Sequence, residues 1–493
     1  LPLTCFFDML TCFASWACRL DHWVCRGSAG EKRWRCGWRC GWTASCSDEI
    51  ISRFHYNTRI LKMSSLVVDT SASTSAPRRG ARAISRASVG AMSAPSSTSC
   101  AWHRHDAGAA ARSYVVPPLE RWGHTAVVVD SDMFVIGGFA GNGRGYLNDV
   151  HTLDCNDLSW NSRGRRDKLP SHGRAEGPTV RSNHAVCHVG QYVVVIAGSG
   201  KEMNETKTRR FNDVHILDTN QDSFGWVKIR VAPGHGVSFN ERTYHAACAL
   251  PDNIVAIFGG STGTVDVQDV MLLSLNALFE LPRKTPYDHD LVPVIPVVSA
   301  TFQSLVTPRP AARRFHTLTN HPESGTGILF GGCHGKDYEC FGDVWLLRHR
   351  PKSPMIDWSQ PRLTGMAPEP RWGHTACVVG RSLIVVGGRS TKDIMDLQVL
   401  TFADHSLSSG TWAPVAMQPT PLDQSPCPRR RHTCCLVGDS KLILFGGFDG
   451  KRFLNDVYTC DIGPALADHA ARNPAPRRRA STSAIDEAFS FID

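Results

Sequence analysis

RWGHTA, at Arg121–Ala126, recurs letter for letter at Arg371–Ala376. Six identical residues, one of them tryptophan, mark an internal repeat, and a repeat of this kind constrains the architecture before any other feature does. Loosened to R-x-x-H, the tetrad occurs six times in the same context: Arg121–His124, Arg181–His184, Arg242–His245, Arg313–His316, Arg371–His374 and Arg429–His432. Successive arginines stand 60, 61, 71, 58 and 58 residues apart.

Each tetrad opens the same series of marks. A pair of small residues follows its histidine by 13 to 15 positions: Gly137-Gly138, Ala197-Gly198, Gly259-Gly260, Gly331-Gly332, Gly387-Gly388 and Gly446-Gly447. An aspartate then heads an apolar run, as in NDVHTLD at Asn148–Asp154 and NDVHILD at Asn212–Asp218. A tryptophan follows in most units, at Trp160, Trp226, Trp358 and Trp412. HTAVVVD alternates like a half-buried strand, MFVIGG is apolar throughout like a strand covered on both faces, and NDVHTLD alternates again. The tryptophan segment makes a fourth strand. A double glycine suits a point where one backbone approaches another so closely that a Cβ would clash. A lone four-stranded sheet cannot bury its faces, whereas six packed radially can, so the pattern predicts a β-propeller.

Three units depart from the pattern. The second has Ala197 in place of a glycine. The third has no tryptophan, which makes Phe279 the expected stand-in, and is followed by a Pro-rich insertion at Leu281–Pro310. The sixth runs out after Asp461. Trp102 stands 19 residues before Arg121, within the spacing the other tryptophans keep from the next arginine. A strand near Trp102 is therefore expected to complete the last blade and close the ring.

The order R-x-x-H, Gly-Gly, Asp-Val, Trp resembles the kelch repeat over roughly residues 102–462. The resemblance implies an all-β, six-bladed kelch β-propeller with four antiparallel strands per blade. Flanking it, residues 1–99 and 463–493 are expected to be disordered. In such a meander the tetrads and the loops after Gly-Gly share one face. In kelch domains that bind peptides this face commonly does so, with arginines of this kind taking part. Arg121, Arg181, Arg242, Arg313, Arg371 and Arg429 are thus the expected ligand contacts, since a guanidinium pairs bidentately with a carboxylate. The opposing reading is that they tie blade to blade. The six histidines are read as structural, because sixfold repetition at equal depth suits packing better than catalysis. Specificity would come from the loops 139–147, 199–211, 261–268, 333–342, 389–395 and 448–454, the second made basic by Lys201, Lys207, Arg209 and Arg210.

Composition narrows the function. The chain has 493 residues, 42 Gly and 29 Pro, which suits many turns. Of the +9 net charge, +7 lies in residues 1–99 and +2 in residues 100–462, so the repeat region carries no nucleic-acid footprint. No CxxC occurs among 18 Cys, and no run of ~18 apolar residues spans a membrane. Residues 1–62 have no period, and Met63 is the expected start; the Ser/Ala/Arg-rich stretch 64–99 reads as disordered. No cofactor or metal is expected. The specifier-type iron run E-x-x-x-D-x-x-x-H is broken, with Leu347 following Glu339 and Asp343. The resulting expectation is a non-enzymatic scaffold in the cytoplasm or nucleus, binding an acidic or carboxylate-bearing peptide. The alternative is a galactose-oxidase-like propeller enzyme or carbohydrate-binding protein that uses the central channel. In the tail, PRRRAS at Pro476–Ser481 and AIDEAFSFID at Ala484–Asp493 suggest a modification site and a docking peptide.

Overall fold

The computed structural model describes residues 36–37, 43–44, 99–105, 117–161, 177–201, 205–220, 225–227, 229–233, 239–280, 293–302, 308–421 and 424–472. Of the unit Leu1–Met92 this includes two short strands, Cys36–Gly37 and Thr43–Ala44, paired antiparallel. Met63, the rest of the expected leader and the two tail motifs lie outside the described residues.

The unit Ser93–Asp493 is built from six four-stranded antiparallel meanders. In blade 1 the strands are Thr125–Val129, Asp132–Ala140, Gly145–Asp154 and Trp160–Asn161. The first strands of blades 2 to 6 are Ala185–Val189, Ala246–Leu250, Thr317–His321, Thr375–Val379 and Thr433–Val437. Their second strands are the continuous apolar runs, and Tyr192–Gly200 is buried at every position. Each fully buried valine or isoleucine there contributes roughly 1.5–3 kcal/mol. The six first strands touch in a closed circuit, with Thr433–Val437 returning to Thr125–Val129.

A ring of backbone hydrogen bonds runs round the axis inside that circuit. The third residue of each tetrad donates its N–H to the third residue of a neighbouring one. Asn183 donates to Gly123 (2.7 Å), Tyr244 to Asn183 (3.0 Å) and Phe315 to Tyr244 (3.0 Å). Gly373 donates to Phe315 (3.0 Å), Arg431 to Gly373 (2.7 Å), and Gly123 completes the circle on Arg431 (3.3 Å). All six have a left-handed φ, between 53° and 63°. Glycine adopts that backbone freely, whereas other residues do so at a cost of about 1–2 kcal/mol.

The expected closing strand is present: Trp102–His105 pairs antiparallel with Phe453–Asp461, placing Trp102 opposite Cys460. The same register holds every tryptophan. Trp160, Trp226, Trp358 and Trp412 lie opposite Leu153, Leu217, Leu347 and Leu400, the sixth residue of each Asp-Val motif. In blade 3 that residue is Leu273, and its partner is Val297. This corrects the expectation for Phe279. The fourth strand of blade 3 is Val294–Ser299, drawn from the Pro-rich insertion. Phe279 ends the one-turn helix Asn276–Phe279 and packs edge-on against Tyr192 of blade 2.

Three linkers add a parallel strand outside the next blade, which covers its open edge: Arg230–Pro233, Thr301–Phe302 and Arg362–Gly365. The disordered tail expected from 463 is corrected over its first ten residues. Gly463–Arg472 is a helix that buries Ala465 and His469, with Ala465 packed in the cluster that contains Trp102 and Cys460. No helix among the described residues is long and apolar enough to cross a membrane.

Candidate functional site

The first position of the tetrad is occupied inside the blade. Arg121, Arg181, Arg242, Arg313, Arg371 and Arg429 are at most 1 % exposed. Each forks onto the aspartate that heads its own third strand: Asp149, Asp213, Asp269, Asp343, Asp396 and Asp456 respectively. Nη1 of each also donates to the carbonyl of the first small residue of the pair, as Arg121 does to Gly137 at 2.9 Å. Nε donates to the carbonyl two residues upstream, as in Arg121 to Leu119 at 3.0 Å. This geometry departs from the open ring of ligand contacts expected of these six. A guanidinium saturated by a carboxylate and two carbonyls has no fork left for a ligand. Burial alone would raise the carboxyls of Asp149, Asp213 and Asp343, but the bonds and charge of their arginines outweigh it and hold all three below the usual range.

The small pair joins blade to blade. Gly138 N–H donates to Arg181 O at 2.8 Å, and a Cβ on Gly137 would meet that oxygen at 2.9 Å. Ala197, the exception, keeps the same left-handed backbone, at φ 50°.

The fourth position is also buried and crosses between blades. Nε2 of His124, His184, His374 and His432 pairs with the hydroxyl opening a neighbouring first strand, on Thr433, Thr125, Thr317 and Thr375, at 2.7–3.1 Å. Ala185 and Ala246 hold the corresponding places before His245 and His316, which therefore lack that partner. Ala246→Thr is expected to supply it and stabilise the fold by about 0.5–1.5 kcal/mol. A urea midpoint no higher than wild type would refute the assignment.

The second and third positions face the axis. Arg431, third in RRRH of blade 6, lies over Trp122 (4.2 Å), Phe315 (4.2 Å), Tyr244 (5.0 Å) and Trp372 (5.9 Å). Arg430 lies over Phe448 and Trp372 at 4.8 and 5.6 Å and forks onto Asp393. Arg314 forks onto Asp266. Among the described residues no carboxylate pairs with Arg431, although its side chain is largely enclosed and its Nε has no hydrogen-bond partner. Burial lowers its pKa, with Tyr244 opposing and Arg430 reinforcing the shift. The two RWGH copies thereby acquire a reason. Blades 5 and 1 flank blade 6, and their tryptophans, Trp372 and Trp122, sandwich its arginines. Sequence reasoning chose Arg429 in RRRH and passed over Arg430 and Arg431, although two extra arginines at positions filled elsewhere by small, polar or aromatic residues were a visible signal.

Comparison with known proteins agrees with this geometry. A model described as the KLHDC2/KLHL20/DRC7 Kelch-repeats domain matches residues 98–278 and 315–492. Acyl-CoA-binding domain-containing protein 4 of Arabidopsis thaliana is 26 % identical over 348 residues, 69 % of this chain and 45 % of its own length. Kelch domain-containing protein 3 of Mus musculus is 25 % identical over 327 residues, covering 64 % of this chain and 75 % of the relative. Host cell factor of Drosophila melanogaster is 24 % identical over 351 residues, 68 % of this chain and 21 % of its own length. This chain therefore spans less than half of two of these three relatives. With the family model covering most of the propeller unit and all six tetrads in one register, the chain belongs to the kelch-repeat family.

Proposed function

We infer that this chain is a protein-interaction module whose tetrad face binds an acidic or carboxylate-bearing peptide, with Arg431 as the central contact and Arg430 beside it. Kelch-repeat membership supports an interaction module. The finer reading is carried by Arg431. A largely desolvated cation without a carboxylate is costly, and an incoming anion relieves that cost. Its left-handed backbone, φ 53°, adds strain that glycine at the same place would avoid, and strain of this kind concentrates at functional sites. The surrounding charge has the matching sign. By sequence, the six loops of this face with Arg314, Arg430 and Arg431 hold thirteen Lys and Arg against seven Asp and Glu. In this reading the six first-position arginines hold the blades together and the third-position arginine meets the ligand. The mouth of the channel is filled by Arg431 and its four aromatic neighbours, which favours a peptide laid across the face over a small molecule within it.

The test is fluorescence anisotropy with a labelled Glu-Gly repeat peptide. Arg431→Met keeps the volume, removes the charge and is expected to weaken binding at least tenfold, the worth of one charge-assisted hydrogen bond. Its melting temperature should stay within about 2 °C of wild type, because no folded-state ion pair is lost. Equal affinity of the two proteins would overturn the assignment of Arg431.

A further inference from the structure

Beyond the Gly-Gly bulge the second and third strands continue into hairpins beside the tetrads. One register pair leads each of them. It is Ser199 opposite Arg210 in blade 2, Cys333 opposite Cys340 in blade 4, and Arg389 opposite Asp393 in blade 5. In blades 1 and 6 the same pair is aromatic on both strands: Phe139 opposite Tyr146, and Phe448 opposite Phe453. Polar residues hold the identical register in blades 2 and 5, so the aromatic rings are not needed to form the hairpin.

The two aromatic hairpins adjoin one another. Phe139 meets Phe453 edge-on at 5.9 Å, Phe453 stacks on Trp122 at 5.7 Å, and Phe448 lies 5.5 Å from Trp122. Phe453 also lies over Gly141, where a Cβ would come within 2.7 Å of its ring. All five rings, with Tyr146, are partly exposed to solvent. A contiguous apolar surface rimmed by charge marks a docking surface. It adjoins the cations directly, since Arg430 lies over Phe448 at 4.8 Å and Arg431 over Trp122 at 4.2 Å.

We propose that the Phe139–Phe453 shelf takes a bulky apolar side chain of the same acidic peptide. The ligand is then one that places an aromatic or large aliphatic residue within two or three positions of its carboxylate. That spacing follows from Phe448 lying 4.8 Å from Arg430 and 5.3 Å from Phe453, set against a rise of ~3.3 Å per extended residue. The proposal rests on the carboxylate being held at Arg431, and charge complementarity across the face selects an acidic partner. Blades 6 and 1 thus read the apolar residue, and the basic hairpin of blade 2, with Arg209 and Arg210, adds long-range attraction.

Three labelled peptides distinguish the possibilities on the full chain: Gly-Glu-Glu-Gly-Phe-Gly, the same peptide with Ala for Phe, and the Phe peptide with both Glu changed to Gln. The Phe peptide is expected to bind wild type at least tenfold more tightly than the Ala peptide. On Phe453→Ser, and separately on Phe139→Ser, that ratio should fall towards one. Equal binding of the Phe and Ala peptides to wild type overturns the shelf, while the acidic reading stands as long as both bind more tightly than the Gln peptide. Equal binding of the Glu and Gln peptides overturns the acidic reading, and the shelf with it. A Phe preference that survives both serine variants places the apolar contact elsewhere and overturns the proposal. If either serine variant fails to fold, the wild-type comparison of the Phe and Ala peptides and the other variant still decide.

Discussion

Acidification is expected to unfold the propeller steeply between pH 6 and 5, well above the range in which its carboxylates titrate. Six buried imidazoles drive this. Burial, reinforced by the neighbouring arginine, pushes His184, His245, His374 and His432 down to about 3, and holds His124 and His316 well below the ordinary value. In the unfolded chain each takes up a proton near pH 6.5. Between those limits the unfolded state binds more protons, so stability is complete above pH 6.5 and falls as the pH drops towards the folded values. Each histidine contributes a slope of about 1.4 kcal/mol per pH unit, and six together about 8 kcal/mol per unit. Against a total stability of about 5–15 kcal/mol, the transition arrives near pH 5 rather than pH 3. His105, His188, His321 and His469 are shifted in the same direction and steepen it. Urea denaturation at pH 7.5, 6.0 and 5.5 gives the slope, and far-UV circular dichroism gives the midpoint. His374→Gln should reduce the proton uptake by about one. A chain as stable at pH 4.5 as at pH 7.5 would show that these imidazoles are not buried neutral.

Periodicity made the scaffold readable from sequence. Six tetrads, six small pairs and six Asp-Val runs in fixed order define the blades, and the spacing of Trp102 from Arg121 located the closing strand. Chemistry between motifs was less readable. The arginine and aspartate of one blade are 25 to 32 residues apart and were seen as separate marks, although their one-to-one recurrence was the signal that they pair. The direction of each tetrad side chain was hidden for a local reason. A left-handed third residue turns the chain, so positions one and four point into the blades while two and three point to the axis. Phe279 misled because aromatic character was weighed above register; the place opposite Leu273 needed an apolar side chain, and Val297 meets that need. The partnership of Trp122 with Arg431 spans the ring closure, where neighbours in space are about 300 residues apart in sequence.

Arg429→Ala is expected to destabilise the fold by about 3–5 kcal/mol, the cost of leaving one member of a buried ion pair without its partner. Arg429 is the case to test because Asp456, 16 % exposed, is the most enclosed of the six aspartates. The substitution removes bonds of 2.6 and 3.0 Å to Asp456, 3.1 Å to Gly446 O and 3.1 Å to Cys427 O, and all of these acceptors remain. It also empties a site packed beside Tyr458, whose ring lies 5.4 Å from the guanidinium. Arg429→Met with Asp456→Leu removes both charges together and should cost less than Arg429→Ala alone, since no orphaned carboxylate is left. The decisive contrast is with Arg431, two residues on. If Arg429 holds the blade, Arg429→Met loses stability yet binds the acidic peptide like wild type at a temperature where it is folded. Arg431→Met keeps its stability and loses the peptide. A stable Arg429 variant that fails to bind would reverse the two assignments, returning the ligand to the first position of the tetrad.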